Sequence, residues 1–190
     1  MKHLMTLEEF VIRGKNSTKA LVFDVDDTLV KSNAKVFVKK NGEIVNTLSS
    51  EEFNDYKLKK GETFSFEEFS DLNILLSADI KPYFNTLKRE YERGVHISIL
   101  TARSDSNMIH EFFIKKAGVD INPKLIFTIG SDGDSDMSGM SISERKAECI
   151  KKLADYGYKT LIFFDDNVDN LTEVKKMGDE LGIKIHIVKA

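Results

Sequence analysis

Cysteine and long apolar runs are both scarce in this chain of 190 residues. The single cysteine, Cys149, excludes an internal disulfide bond and favours a reducing compartment. No stretch reaches the roughly 20 apolar residues that a membrane-spanning helix needs, and residues 1–9 lack the apolar segment of a secretion signal. The sequence therefore predicts a cytoplasmic protein without membrane contact.

The chain also lacks a large excess of charge of either sign. The chain carries 28 Lys and Arg against 31 Asp and Glu, for a formal net charge of −3. This balance creates no strong overall field that would draw the protein to nucleic acid or to an anionic membrane. The 41% hydrophobic content is enough for a core, and the length fits one domain or a core with a small insert.

Three acids directly follow an apolar run in the sequence LVFDVDDTLV, which begins at Leu21. The run predicts a buried strand. Strand alternation would point Asp24 and Asp26 in the same direction where that strand ends. Two adjacent carboxylates repel each other unless a cation lies between them or one of them holds a proton. This stretch therefore indicates a functional site more than a polar turn.

Four further strands are predicted, and amphipathic helices separate most of them. The strands are expected at residues 95–100, 125–129, 161–164 and 183–188. The helices are expected to begin at Pro82 and about Asp169 and after the N-caps Ser104 and Ser143. This alternation predicts an α/β fold, a three-layer Rossmann-like doubly wound parallel sheet, which binds ligands beyond the carboxyl ends of its strands.

Residues 31–79 have a different character and predict a small cap insert, with the core formed by 1–30 and 80–190. Asn41-Gly42 between two strand-like runs predicts a β-hairpin, followed by a short helix capped by Ser50. Five aromatic residues are expected to pack the insert onto the core: Phe53, Tyr56, Phe64, Phe66 and Phe69. A further short helix is predicted at residues 7–12.

Residues suited to phosphate chemistry follow the predicted strands. They are Asp24 and Asp26 after the first strand, Thr101, Ala102 and Arg103 after the second, Asp165 and Asp166 after the fourth, and Lys146 in the first turn of the helix before that strand. Because parallel strands end at one edge of a sheet, these side chains are expected to converge.

Such a set fits phosphoryl transfer. Asp24 and one of Asp165 or Asp166 offer the oxygen ligands that Mg²⁺ prefers, and Asp24 is placed to attack phosphorus. Asp26 is suited to act as general acid for the leaving oxygen and then as base for water.

The other side of the predicted site binds the substrate. Lys146 neutralises negative charge, Thr101 donates a hydrogen bond to a phosphoryl oxygen, and Ala102 and Arg103 are further predicted substrate contacts. Which of the two adjacent acids after the fourth strand touches the metal stays open.

Together these residues resemble the motifs of haloacid dehalogenase (HAD) superfamily phosphatases. The matching parts are Asp24-x-Asp26-x-Thr28, Thr101 in ILTAR, Lys146 and Asp165-Asp166, within residues 19–31, 95–118 and 143–171. The resemblance implies a Mg²⁺-dependent phosphomonoesterase with an aspartyl-phosphate on Asp24. It also implies that Asp26 binds the metal through its backbone carbonyl. An acid at this position is typical of the phosphatases, whereas the transport ATPases of the superfamily carry Thr there.

The substrate is expected to be a phosphorylated small molecule or nucleotide, and an open site would also admit a nucleic-acid end. Arg103 and the Asp-Asp-Asn sequence resemble polynucleotide 3′-phosphatases and deoxynucleotidases, so 3′-phosphatase activity is one alternative. A catalytically silent binding module is another, which the intact set of acids disfavours. The oligomeric state is not predicted.

Two further acidic features are weighed in the sequence. Asp169 is interpreted either as a partner of the metal site or as a helix N-cap. Residues 132–136 resemble the start of a calcium loop, but Met137 and Ser143 replace the Gly and Glu that such a loop needs, so no calcium site is predicted.

Overall fold

A five-stranded parallel sheet is the centre of the computed structural model, which describes residues 18–130, 137 and 139–190. The described strands are β1 (Lys19–Phe23), β2 (Val30–Lys31), β3 (Val36–Lys40), β4 (Glu43–Leu48), β5 (Glu62–Ser65), β6 (Asp79–Ile80), β7 (His96–Thr101), β8 (Ile126–Thr128), β9 (Thr160–Asp165) and β10 (Lys184–Lys189). The α-helices are α1 (Ser50–Asp55), α2 (Leu72–Ser77), α3 (Pro82–Glu92), α4 (Ser106–Ala117), α5 (Ile142–Asp155) and α6 (Val168–Leu181). Two short 3₁₀-helices cover Glu67–Ser70 and Pro123–Leu125.

The strand order of the central sheet is β10-β9-β1-β7-β8, and every pairing in it is parallel. All six residues of β7 are buried, as expected for a strand covered on both faces. Phe23 at the end of β1 pairs with Ile99 on one side and Phe164 on the other, so these strands end at the same edge. The predicted α/β, Rossmann-like parallel sheet flanked by helices is confirmed.

The chain leaves β1 for β7 and β8 on one side and later returns to β9 and β10 on the other side. The order of strands therefore reverses beside β1. Loops after β1 and β9 diverge there and leave room for a ligand. Asp24 and the Asp165-Asp166 pair lie at this point.

Residues between β1 and α3 build two smaller sheets. β2 pairs with β6 in a short antiparallel ribbon. The chain between these two strands forms a three-stranded antiparallel sheet in the order β4-β3-β5. The predicted hairpin is confirmed: Asn41 and Gly42 have φ angles of 53° and 86°, the positive values of a two-residue hairpin turn. β5 was not predicted.

The insert's aromatic residues differ from the prediction. They were expected to pack onto the core, but they contact one another and a separate small cluster formed by Val36, Val38 and Leu48. Alternating residues of β3 are buried, which gives this sheet an apolar face of its own. Aromatic content alone does not tell which apolar surface the rings will cover.

Helix N-caps are also shifted from their predicted positions. The caps are Ser49 instead of Ser50, Asp105 instead of Ser104, and Ser141 instead of Ser143. Ser141 and Glu144 form a capping box, so α5 begins earlier than expected. Lys146 consequently lies in the second turn of α5 and not in its first.

The predicted helix at 7–12 and the loop at 132–136 lie outside the described residues. Cys149 is buried in the core. Within the described ranges, no helix is long and apolar enough to cross a membrane.

Candidate active site

A tight turn after β1 presents its acids to a cleft. The amide of Asp24 still donates to the carbonyl of Phe164 at 3.0 Å, which continues the sheet by one residue. Asp27 then adopts a φ of 57°, and its amide donates to the carbonyl of Val30 at 2.8 Å. The side chain of Lys81 donates to the carbonyl of Asp27 and braces the turn from the end of β6. Asp27 lines the cleft beside Asp24 and Asp26.

One buried ammonium group joins two of the predicted motifs. The Nζ of Lys146 donates to Asp24 Oδ1 at 2.8 Å and to Asp165 Oδ2 at 2.6 Å. The side chains of Lys146, Asp24 and Asp165 are 2%, 7% and 0% exposed. Buried charges are tolerated when they are paired in this way, and removal of the shared ammonium group would leave two buried carboxylates without a counter-charge.

The pairing does not cancel the effect of burial on Asp24. The pKa of its carboxyl is raised to about 7, mainly by burial and also by neighbouring Asp165, against the opposing effect of Lys146. Burial also acts to lower the pKa of Lys146, but the two carboxylates outweigh it and the net pKa is raised. The lysine therefore stays charged at neutral pH, and Asp24 lies near the midpoint of its titration.

Asp165 is held from several sides. Besides Lys146, its carboxylate accepts hydrogen bonds from the amide of Asn167 at 2.8 Å and from Asn170 Nδ2 at 2.9 Å and 3.2 Å. Asn170 was not among the predicted site residues, although its place one turn into the helix after the acids could have indicated it. Asn167 is the N-cap of α6, so the interpretation of Asp169 as the N-cap is wrong. Asp169 is exposed and is not among the residues that line the cleft.

A possible cation site lies next to this pair. Asp24, Asp165 and Asp166 each offer a carboxylate oxygen, and these oxygens lie within 4.8 Å of one another. Burial and the charge of Asp165 raise the pKa of Asp166, so a cation would relieve repulsion among the acids. Carboxylate oxygens are the ligands that Mg²⁺ prefers, so the donor set fits this ion.

Asp26 is held apart from the other acids by an arginine. Arg103 Nε donates to Asp26 Oδ2 and its Nη2 donates to Asp26 Oδ1, both at 2.8 Å. The hydroxyl of Ser32 donates to Asp26 Oδ1 at 3.3 Å. Arg103 Nη1 also donates to the carbonyl of Phe69 at 2.6 Å. The predicted substrate contact Arg103 thus binds an acid and the insert.

Residues after β7 and β8 form one rim of the cleft. Thr101 is completely buried, and its hydroxyl accepts a hydrogen bond from the amide of Arg103 at 3.3 Å. Ala102 and Arg103 line the cleft directly, whereas Thr101 lies behind them. Gly130 approaches so closely that a Cβ atom there would lie 1.9 Å from the carbonyl oxygen of Ala102. A glycine is therefore required where these two loops meet.

The cleft has a volume of about 300 Å³ and joins polar and aromatic surfaces. Its polar part includes Asp24, Asp26, Asp166, Lys146, Asn167 and Asn170. Its aromatic part comes from the insert through Phe53, Phe66 and Phe69. A phosphate at the acids would place the rest of its molecule near these rings.

Comparison with known protein families gives one match over nearly the whole chain. A family model described as HAD superfamily, subfamily IIIB (Acid phosphatase), matches residues 2–189. No curated protein and no solved structure matches the chain.

Proposed function

Because the chain belongs to the HAD superfamily, subfamily IIIB (acid phosphatase), we propose that it is a Mg²⁺-dependent phosphomonoesterase working through an aspartyl-phosphate on Asp24. Membership of this family implies a phosphatase that acts on phosphorylated substrates. The cluster of Asp24, Lys146 and Asp165 beside the cleft carries the proposal for the mechanism.

In the first proposed step, a carboxylate oxygen of Asp24 forms a bond to phosphorus while the bond from phosphorus to the leaving oxygen breaks. The leaving oxygen takes a proton from Asp26 and departs as an alcohol. Lys146 stays within hydrogen-bond distance of Asp24 and stabilises the negative charge that builds up around it.

In the second step, water attacks the phosphorus of the aspartyl-phosphate, and Asp26 takes a proton from that water. The bond between phosphorus and Asp24 breaks, which releases inorganic phosphate and restores the carboxylate. The proton gained by Asp26 replaces the one given up in the first step, so the cycle balances.

The metal is proposed to be held by the carboxylates of Asp24 and Asp166, with the backbone carbonyl of Asp26 as the resemblance implies. Asp165 already accepts hydrogen bonds from Lys146, Asn167 and Asn170, whereas Asp166 is half-buried and lines the cleft. We therefore assign the direct contact to Asp166 and a supporting position to Asp165. When bound, Mg²⁺ would neutralise phosphate charge and polarise the phosphoryl group.

Residues 31–79 are proposed to act as the cap, with 1–30 and 80–190 as the core. The rings that the insert places in the cleft favour a small phosphate ester with an apolar or aromatic part. The phosphate would lie against the rim that Ala102 forms, with the buried Thr101 behind it. Arg103 pairs with Asp26 at the same rim. Polynucleotide 3′-phosphatase activity stays an alternative, and a cytoplasmic location stays a prediction from the sequence.

The proposed activity is tested with p-nitrophenyl phosphate, with and without Mg²⁺, followed by nucleotides, sugar phosphates and 3′-phosphorylated oligonucleotides. We expect turnover that requires the metal and that favours esters with an aromatic group. Turnover that is undiminished by a chelator would contradict the metal dependence. Activity on oligonucleotides alone, with strong dependence on salt, would favour the 3′-phosphatase alternative.

Metal binding itself is predicted to raise the thermal unfolding midpoint. A ligand that binds only the folded state stabilises by about 2.7 kcal/mol at 100 times its dissociation constant, which is roughly 5–11 °C for a chain of this size. The Asp166→Asn variant should lose most of this response to Mg²⁺, because it loses a charged ligand. Asp169→Asn, an exposed acid three residues further on, is the matched control and should keep it. Equal responses in the two variants would remove Asp166 from the metal site.

A further inference from the structure

We propose that Arg103 is a positioning residue for the second half of the reaction, in which it holds the side chain of Asp26 in the orientation that takes a proton from water. This inference rests on the proposed function. It concerns how the phosphoenzyme is hydrolysed, and it assigns to Arg103 a role other than contact with the substrate.

The geometry of the pair fixes the carboxylate. Two nitrogens of one guanidinium group donate to the two oxygens of Asp26, both at 2.8 Å. A planar fork of this kind sets the distance and the plane of the carboxylate, which a single point contact would not do. Asp26 is 24% exposed, so the carboxylate that is held on one side still reaches the cleft on the other.

The guanidinium group is itself fixed from the side of the insert. Its Nη1 donates to the carbonyl of Phe69 at 2.6 Å, and its Cζ lies 5.1 Å from the centroid of the Phe69 ring. The Arg103 side chain is 1% exposed, so water does not compete for these contacts. Phe69 belongs to the 3₁₀-helix Glu67–Ser70, and the orientation of Asp26 therefore depends on the insert being in place.

The two halves of the reaction differ in their need for this arrangement. The second half needs the Asp26 carboxylate in a fixed orientation, because it must accept a proton from the attacking water. The first half needs no proton from Asp26 when the leaving group is p-nitrophenolate, which departs readily as an anion. Loss of Arg103 should therefore slow hydrolysis of the phosphoenzyme while its formation from this ester continues.

The test is the steady-state and rapid kinetics of Arg103→Met with p-nitrophenyl phosphate. We expect kcat to fall by about 10- to 100-fold, within the usual contribution of a positioned acid or base. The ratio kcat/KM, which covers only the formation of the phosphoenzyme, should change by less than about 3-fold, so KM falls together with kcat. A burst of about one p-nitrophenol per chain should precede the slow phase.

Further variants keep the test independent of folding. Arg103→Lys retains the charge without the fork and should give a smaller burst and an intermediate kcat; it also serves if the methionine variant does not fold. Arg93→Met removes an exposed arginine that pairs with Glu90 and should leave the kinetics unchanged.

A parallel fall of kcat and kcat/KM without a burst would overturn the inference, since it would place Arg103 in phosphate binding or in the fold alone. An unchanged kcat would overturn it as well. An inactive wild-type chain would instead overturn the proposed function, and this inference with it.

Discussion

Replacement of Lys146 by Met should lower the free energy of unfolding by about 3–5 kcal/mol at neutral pH, the loss expected when one partner of a buried ion pair is removed. The ammonium group lies 2.8 Å from Asp24 and 2.6 Å from Asp165, and all three side chains are buried. Methionine fills a similar volume, so the loss comes mainly from two carboxylates left without a counter-charge. Activity should fall as well, because the same ammonium group stabilises charge on Asp24.

This loss of stability should shrink in acid. The folded-state pKa of Asp24 is raised to about 7, so between about pH 4 and pH 7 the folded state holds a proton that the unfolded state has released. Stability from this group is therefore present at low pH and lost as the pH rises. Protonation of Asp24 at pH 5 removes part of the repulsion that Lys146→Met exposes.

Urea unfolding at pH 5 and at pH 7.5, in the absence of metal, measures the effect. Lys151→Met is the matched control, because Lys151 lies on the same helix in a partly exposed pair with Glu148 and should change stability little. An equal loss for the Lys146 variant at both pH values would contradict this explanation.

Replacement of Asp24 by Asn should abolish turnover and stabilise the fold. Removal of the nucleophile is expected to lower kcat by at least about 10³-fold. The amide keeps the shape of the side chain and an oxygen for Lys146, but it carries no charge that burial disfavours. We therefore expect the free energy of unfolding to rise by about 1 kcal/mol at pH 7.5 without metal, which corresponds to roughly 2–4 °C in the unfolding midpoint.

The gain in stability of the Asp24→Asn variant should depend on pH, because it comes from the raised pKa of Asp24. At pH 4 the wild-type carboxyl is protonated in the folded state and about half protonated in the unfolded state, so most of the variant's gain in stability should be lost there. Thermal unfolding at pH 4 and pH 7.5 compares the two conditions, with the exposed Asp155→Asn as control. A variant less stable than the wild type at pH 7.5 would show that Asp24 stabilises the fold and is not strained by burial.

The position of the acids could be predicted because it follows from chain order and from parallel pairing. Asp24, Asp165 and the residues after β7 lie at strand ends, and parallel strands bring their carboxyl ends to one edge. The predicted strand boundaries lie close to the observed ones, because a short apolar run leaves few choices for where a buried strand begins and ends. The helix N-caps were predicted less accurately, because several small polar residues lie near each helix start and any of them could be the cap, as with Ser141 and Ser143.

Contacts made across elements could not be read from the sequence. The bonds of Asn170 to Asp165 and of Arg103 to Asp26 depend on side-chain directions that only the packed structure sets. The link from Arg103 to Phe69 joins the loop after β7 to the insert, 34 positions away in the chain. The separate apolar cluster of the insert was not predicted, because the number of aromatic residues in a segment does not tell which apolar surface they pack against.

The proposed covalent step on Asp24 is tested most directly by trapping the phosphoenzyme. Wild-type protein is mixed with a phosphate-labelled aryl ester and Mg²⁺, quenched in acid within the first turnover, digested and examined by mass spectrometry. We expect the label on the peptide that contains Asp24 and its loss in Asp24→Asn. Label on another residue, or full turnover in the Asp24→Asn variant, would contradict the mechanism.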